Sequence, residues 1–178
     1  AEAEFLIAGT LGIGRGELGF GDRTVDAKAA TRIHKAVDRR VGRETLAYVL
    51  GNQPFFDIKL KVKPGVFIPR PETEQLVEVA LALYPSPSGA LGVRGTPRSS
   101  APASAGWGPR IVGRGAPCIL DLCSGSGAVA IALAKRLPAA SVVAVEKSAA
   151  TLRVARLNAK LNGVAPLLNG VTAPGIKH

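Results

Sequence analysis

Hydrophobic and polar positions alternate without a fault from Phe56 to Lys63 (FDIKLKVK), with Phe56, Ile58, Leu60 and Val62 on one face and Asp57, Lys59, Lys61 and Lys63 on the other. A period of two with one wet side predicts a strand. Pro64-Gly65 is turn chemistry and Val66-Phe67-Ile68 can return, so a β-hairpin is expected. Upstream the period lengthens. Phe5, Leu6 and Ile7 lie among alanines in a short helix over residues 1–10, and glycines at 12, 14, 16, 19 and 21 break any regular element after it. Asp26 is placed to cap a helix whose Ala30, Ile33, Val37 and Val41 recur at helical spacing until Gly42, and Arg43 to Leu50 forms a further short helix. His34 falls among the polar positions of this module and reads as solvated. After the hairpin, Pro69-Arg70-Pro71 fixes the backbone, and Glu72 or Thr73 starts a helix that carries Leu76, Ala80 and Leu83 inward.

The second half is organised around residues 118–127 (CILDLCSGSG). Ile119, Leu120 and Leu122 form an apolar run suited to a strand covered on both faces, followed by a glycine turn. Ala128 to Leu137 is rich in helix formers, and Pro138 stops it. Ser141 to Val145 is a second strand ending at Glu146, Ser148 caps a helix from Ala149 to Asn162 before Gly163, and Val164 to Leu168 begins a third strand. The fold class is therefore α/β: a small helical domain (1–52), a β-hairpin with its connecting helix (53–84), and an incomplete Rossmann-like parallel sheet (118–178). Between them, residues 85–117 are low-complexity Pro, Gly, Ser, Ala and Arg with a lone Trp107. Such a composition predicts a flexible linker.

Composition narrows this picture. The longest apolar run, Ala128 to Ala134, is too short to span a membrane, and no secretory segment precedes Ala1-Glu2-Ala3-Glu4. Cys118 and Cys123 have no CxxC partner or nearby histidine, so no metal site is expected, and buried reduced thiols in a cytoplasmic protein are. The net charge of +10 is dispersed. Residues 1–84 carry 12 Lys and Arg against 11 acids, 85–117 add four arginines, and 118–178 add 7 bases against 2 acids. Without aromatics gathered among them, these cations do not form a nucleic-acid-binding strip.

The candidate chemistry lies where strand, glycine turn and helix N-terminus meet, because backbone N–H groups there point at whatever docks. Glu146, at the tip of the second strand and nineteen positions after Gly127, can accept hydrogen bonds from ribose hydroxyls. Residues 125–130 (GSGAVA) fit the dinucleotide fingerprint G-x-G-x-x-A, while 121–127 (DLCSGSG) fit an S-adenosylmethionine loop; a structural βα turn needs neither ligand. Asp121 favours the second. Its carboxylate can pair with the ammonium of a methionine moiety and would repel a pyrophosphate. The PRPETE stretch is read equally as a rigid turn with a helix cap or as part of a site.

With these pieces in view, the sequence resembles the HemK/PrmC family, S-adenosylmethionine-dependent methyltransferases that modify the glutamine of the GGQ motif in class I peptide chain release factors. Residues 45–51 (TLAYVLG), 64–74 (PGVFIPRPETE) and 119–127 carry the likeness, and the second is the most specific of them. The resemblance implies that Asp121, Cys123, Ser124, Gly125, Ser126 and Gly127 surround the methionine part of S-adenosylmethionine and that Glu146 holds its ribose. It implies that Arg70, Pro71, Glu72 and Thr73 line the cleft near cofactor and substrate, and that the helical module grips the release factor. Cys123 stands where the family has a glycine. The family's catalytic Asn-Pro-Pro-Tyr does not occur in the sequence, so the chain is expected to be incomplete before that motif and no catalytic residue is assigned. An inactive binding module keeping the helical domain is the alternative, with a dinucleotide-dependent oxidoreductase behind it.

Overall fold

The computed structural model describes residues 2–19, 24–83, 118–165 and the backbone of 168–172. The linker expected over 85–117, with Trp107, and the terminus around His178 lie outside the described residues. In chain order the elements are α1 (Glu2–Leu11), a 3-10 turn (Arg15–Gly19), α2 (Ala27–Val41), α3 (Leu46–Leu50), β1 (Asn52–Phe55), β2 (Ile58–Lys61), α4 (Thr73–Leu83), β3 (Cys118–Leu122), α5 (Ala128–Arg136), β4 (Ser141–Glu146), α6 (Ala149–Leu161) and β5 (Leu168–Thr172). Helical module, hairpin and partial parallel sheet follow in the expected order.

In the module, Asp26 caps α2 by accepting from the Ala29 N–H at 2.6 Å. The buried face of α2 differs from the expected stripe. Ala29 and Ala36 are buried, whereas Val37 and Val41 are exposed. Leu6, Ala36 and Val49 form a small core there, and small side chains on α2 let the neighbouring helices approach. Arg39 fastens α2 to the end of α3, donating to the carbonyls of Tyr48 and Val49 and to the Glu44 carboxylate. Such carbonyls at a helix C-terminus lack partners within the helix.

The hairpin forms with a different partner from the one expected. Gly51, at φ +67°, ends α3 and turns the chain directly into β1, which pairs antiparallel with β2 from Asn52↔Lys61 to Phe55↔Ile58. Phe56 and Asp57 make the turn, with Phe56 at φ +53°. No glycine marks that turn. It is held from outside by the Glu74 carboxylate, which accepts from the Phe56 N–H at 2.9 Å. Pro64-Gly65 does turn the chain, closed by Val66 N–H to the Lys63 carbonyl at 3.0 Å with Gly65 at φ +87°, but residues 66–68 form no strand. In α4 the buried position is Val77, one step from the expected stripe, and Leu76 and Leu83 are exposed.

The parallel sheet runs β3-β4-β5. Its helix-covered side and the hairpin share one core in which Phe55, Ile58, Leu60 and Val77 join α5, Val142, Ala144 and Ala159. The hairpin tip docks on the end of α5: Asp57 pairs with Arg136 at 3.1 Å and Lys135 at 3.6 Å, and the Arg136 guanidinium lies over the Phe56 ring. Among the described residues β3 is covered on one face and not on both as expected. Ile119 packs on the core, while Leu120 and Leu122 are 59% and 64% exposed on the other face. Cys118 and Cys123, expected to be buried, are both exposed and free. The third strand begins at Leu168 rather than Val164, which is buried with its N–H donated to the Ala159 carbonyl at the end of α6.

Candidate functional site

The carboxyl ends of β3 and β4 lie side by side, in register at Asp121↔Ala144 and Leu122↔Val145. That end of a parallel sheet is where open α/β folds bind ligands. From Leu122 the chain turns through Cys123, Gly125 and Gly127, at φ +60°, +57° and +83°. The Ser124 N–H still pairs with the Val145 carbonyl at 3.0 Å, and Gly127 N–H closes the turn onto the Ser124 carbonyl at 2.8 Å. Gly127 is required sterically as well as conformationally: a Cβ there would stand 2.9 Å from Ile131 Cδ1 and 3.2 Å from Ala155 Cβ. At Gly125 the space is open, with no atom nearer than 3.9 Å.

Gly127 is also the N-cap of α5, and it has no side chain to accept from the first turn. Asp121 supplies that acceptor from the preceding strand. Its Oδ2 accepts from the Ala130 N–H at 3.2 Å. Burial holds the Asp121 carboxyl above the usual carboxylate range, and the Ala130 hydrogen bond acts against that shift. A cationic ligand group beside it would restore the charged form. Glu146 reaches back to the loop: Oε2 accepts from the Gly125 N–H at 2.9 Å and Oε1 from the Ser148 N–H at 2.8 Å. Each carboxylate oxygen keeps a lone pair for a hydroxyl donor. Ser124 Oγ is buried with no hydrogen-bond partner among the described residues. Such a group is unusual in a native structure unless a ligand or water completes it.

These groups open onto a cavity of about 480 Å³. That lies within the range of small-molecule sites. Its lining comes from the end of β3, the glycine loop and the start of α5 (Asp121, Cys123 to Ser126, Ala128 and Val129), from the end of β4 and start of α6 (Glu146, Ser148 and Thr151), and from the segment after the hairpin (Gly65, Phe67, Pro69 and Thr73). Of the residues singled out from sequence, Gly127 lies beneath the loop rather than on the cavity, and of Arg70, Pro71, Glu72 and Thr73 only Thr73 lines it. Arg70, Pro71 and Glu72 are exposed. The remainder of that motif does structural work through Glu74, and Tyr48 of the TLAYVLG segment donates from its hydroxyl to the Val66 carbonyl at 2.8 Å. Gly65, Phe67, Ser148 and Thr151 were not found from sequence. Ser148 was visible only as a helix cap, and the PGVF stretch only as hairpin and as part of the family motif, with no site role assigned to Gly65 or Phe67. Among the described residues no group of three or more His, Cys, Asp or Glu could hold a metal ion, and no helix is long and apolar enough to cross a membrane.

Comparison with known proteins identifies the relatives of this chain. Residues 1–51 match the PrmC N-terminal domain, and residues 114–173 match the Methyltransferase small domain. A release factor glutamine methyltransferase of Mycolicibacterium smegmatis is 39% identical over 98% of this chain and 52% of its own length. The corresponding protein of Burkholderia pseudomallei is 37% identical over 89% and 47%. A 4-amino-L-phenylalanine/4-methylamino-L-phenylalanine methyltransferase of Streptomyces pristinaespiralis is 32% identical over 92% and 47%. The chain thus spans about half the length of the curated relatives it matches. With both domains matched in order and relatives 32–39% identical along most of its length, this chain belongs to the HemK/PrmC family of S-adenosylmethionine-dependent methyltransferases.

Proposed function

We propose that the cavity binds S-adenosylmethionine and that the chain serves transfer of its methyl group to the side-chain amide nitrogen of the glutamine in the GGQ motif of class I peptide chain release factors. One observation carries the cofactor assignment: two carboxylates at the ends of adjacent parallel strands flank one glycine loop, each with acceptor capacity to spare. Asp121 pairs with the ammonium of the methionine moiety and Glu146 with the ribose hydroxyls, leaving Cys123 to Ser126 along the ligand between them. S-adenosylmethionine supplies an electrophilic methyl group on its sulfonium. Thr73, with exposed Arg70, Pro71 and Glu72 beside it, borders the substrate side, and the helical module provides the surface for the protein partner.

An amide nitrogen is a poor nucleophile because its lone pair is delocalised into the carbonyl. Holding it in line is a positioning effect that reaches ~7–11 kcal/mol in favourable cases. In the family this positioning belongs to the Asn-Pro-Pro-Tyr motif, which does not occur in this sequence. The Streptomyces pristinaespiralis relative supports a second reading, in which the acceptor is an aromatic amine of the 4-amino-L-phenylalanine kind.

Thiol labelling tests the cofactor assignment. S-adenosylhomocysteine is expected to slow modification of Cys123, on the cavity wall, and to leave Cys118, at the far end of β3, unaffected. Equal labelling with and without the ligand, or tighter calorimetric binding of NAD, would overturn it. Titrating a release factor and 4-amino-L-phenylalanine into the loaded protein separates the two acceptors.

A further inference from the structure

Asn158 is fully buried near the end of α6, and all of its side-chain hydrogen-bonding groups are engaged. Its Oδ1 accepts from the Lys61 N–H at 2.7 Å, and its Nδ2 donates to the Lys61 carbonyl at 3.0 Å. Lys61 is the last residue of β2, and the side-chain amide pairs with it as a residue of a neighbouring strand would, using donor and acceptor together. The remaining Nδ2 hydrogen goes to the carbonyl of Ser126, inside the glycine loop, at 2.9 Å. One amide group therefore joins the end of β2 to the glycine loop that lines the cavity.

We infer that Asn158 is a positioning residue that sets the separation between the glycine loop and the segment after β2, so that cofactor occupancy and the placement of the hairpin are coupled. This rests on the cofactor assignment above. The chain of contacts continues on both sides. Beyond Lys61, Val62 donates to the Gly51 carbonyl at the end of the helical module, and the Pro64-Gly65 turn leads to Gly65 and Phe67 on the cavity wall. Tyr48 of the module holds the Val66 carbonyl. On the other side, Ser126 lies between Gly125, whose N–H is held by Glu146, and Gly127, which packs on Ala155 of α6. A ligand that orders the loop thereby orders, through one buried amide, the strand end to which the helical module is attached. No apolar side chain could do this, because the three backbone groups would be left without partners in a buried site.

Asn162 provides an internal control. It lies on the same end of α6 and donates to the Lys59 carbonyl of the same strand at 3.1 Å and to the Asn158 carbonyl at 2.9 Å, and neither bond goes to the loop. In the full chain, Asn158→Asp keeps the shape and the acceptor while losing both donated bonds, and it sets a carboxylate against two carbonyls. It is expected to weaken S-adenosylhomocysteine binding about tenfold or more by calorimetry. Hydrogen exchange is the second readout. In the parent, ligand is expected to slow exchange both in the loop (123–128) and at residues 61–66; in Asn158→Asp the second effect disappears. Asn162→Ala is expected to lower thermal stability while affinity and the spread of protection stay as in the parent. Equal loss of affinity in the two variants, or protection of 61–66 that persists without Asn158, would overturn the inference. Should Asn158→Asp fail to fold, the parent alone decides, since ligand-induced protection confined to the loop also overturns it. Should the parent not bind S-adenosylhomocysteine at all, the cofactor assignment fails instead. The tether is then judged without ligand, by whether Asn158→Asp speeds exchange at the loop, and an unchanged loop would refute it.

Discussion

Cys123 occupies the left-handed region at φ +60°, a conformation that favours glycine. A side chain with a Cβ is strained there by about 1–2 kcal/mol, so Cys123→Gly is expected to stabilise the fold by about 1 kcal/mol, less the added freedom of the unfolded chain. Thermal unfolding checks this, and a lower midpoint in the variant would contradict it. Asp121 has the opposite conflict between stability and use. Its folded-state carboxyl is raised by burial, so the folded protein holds that proton more tightly than the unfolded chain does. The contribution of this group to stability is full below the ordinary carboxylate range and is lost as pH rises through the raised folded value. Asp121→Asn keeps an oxygen for the Ala130 N–H and removes the buried charge. It is expected to be more stable than the parent at neutral pH, with the difference vanishing on acidification, and to bind S-adenosylhomocysteine more weakly. Parallel unfolding curves with a constant offset down to low pH would show that Asp121 is not the source.

Among the elements, those with local signals were legible in the sequence and those made by tertiary contact were not. The caps of α2 and α6 were visible as Asp26 and Ser148, and both hold the expected N–H groups, of Ala29 and Thr151. The βα turn after β3 was equally legible from its glycines and following alanines. The hairpin was read with the wrong partner because Phe56, which takes the positive φ of the turn, is a bulky aromatic that fits the alternating strand pattern and carries no turn preference. Its positive φ is sustained by Glu74, eighteen positions away, and by Asp57 docking on α5. Asn158 was invisible as a site residue for the same reason, since its partners lie at Lys61 and Ser126. The cavity was half legible: the loop and Glu146 declare themselves by spacing, whereas Gly65 and Phe67 reach it only through the fold. Glu74→Ala leaves the Phe56 N–H without its charged acceptor, and a loss of about 1–2 kcal/mol is expected on chemical denaturation. An unchanged midpoint would mean that the turn is set without it.

The described residues form two cores of unequal size, one around Leu6, Ala36 and Val49 and one shared by hairpin, α4, α5, α6 and sheet. Among them the sheet is covered on one face. On the other, Leu120 and Leu122 are exposed, with Val143 and Val145 half-buried beside them. An apolar patch on a sheet face favours association. The chain is expected to self-associate as its concentration rises in sedimentation velocity runs. Leu122→Lys should reduce this, with stability within about 0.5 kcal/mol of the parent, because the side chain it replaces is already in water. A parent that stays monomeric throughout would refute the expectation.

The bond between Lys61 and Asn158 crosses 97 positions of sequence. At about 5–20 residues per second of synthesis, β2 emerges on the order of 5–20 s before the helix that completes it. During that interval the face carrying Phe55, Ile58 and Leu60 has no α5 or α6 to rest on, whereas the module built on Leu6, Ala36 and Val49 already has every part of its own core. Vectorial synthesis therefore closes the helical module first and leaves the hairpin as the segment a nascent-chain chaperone would meet.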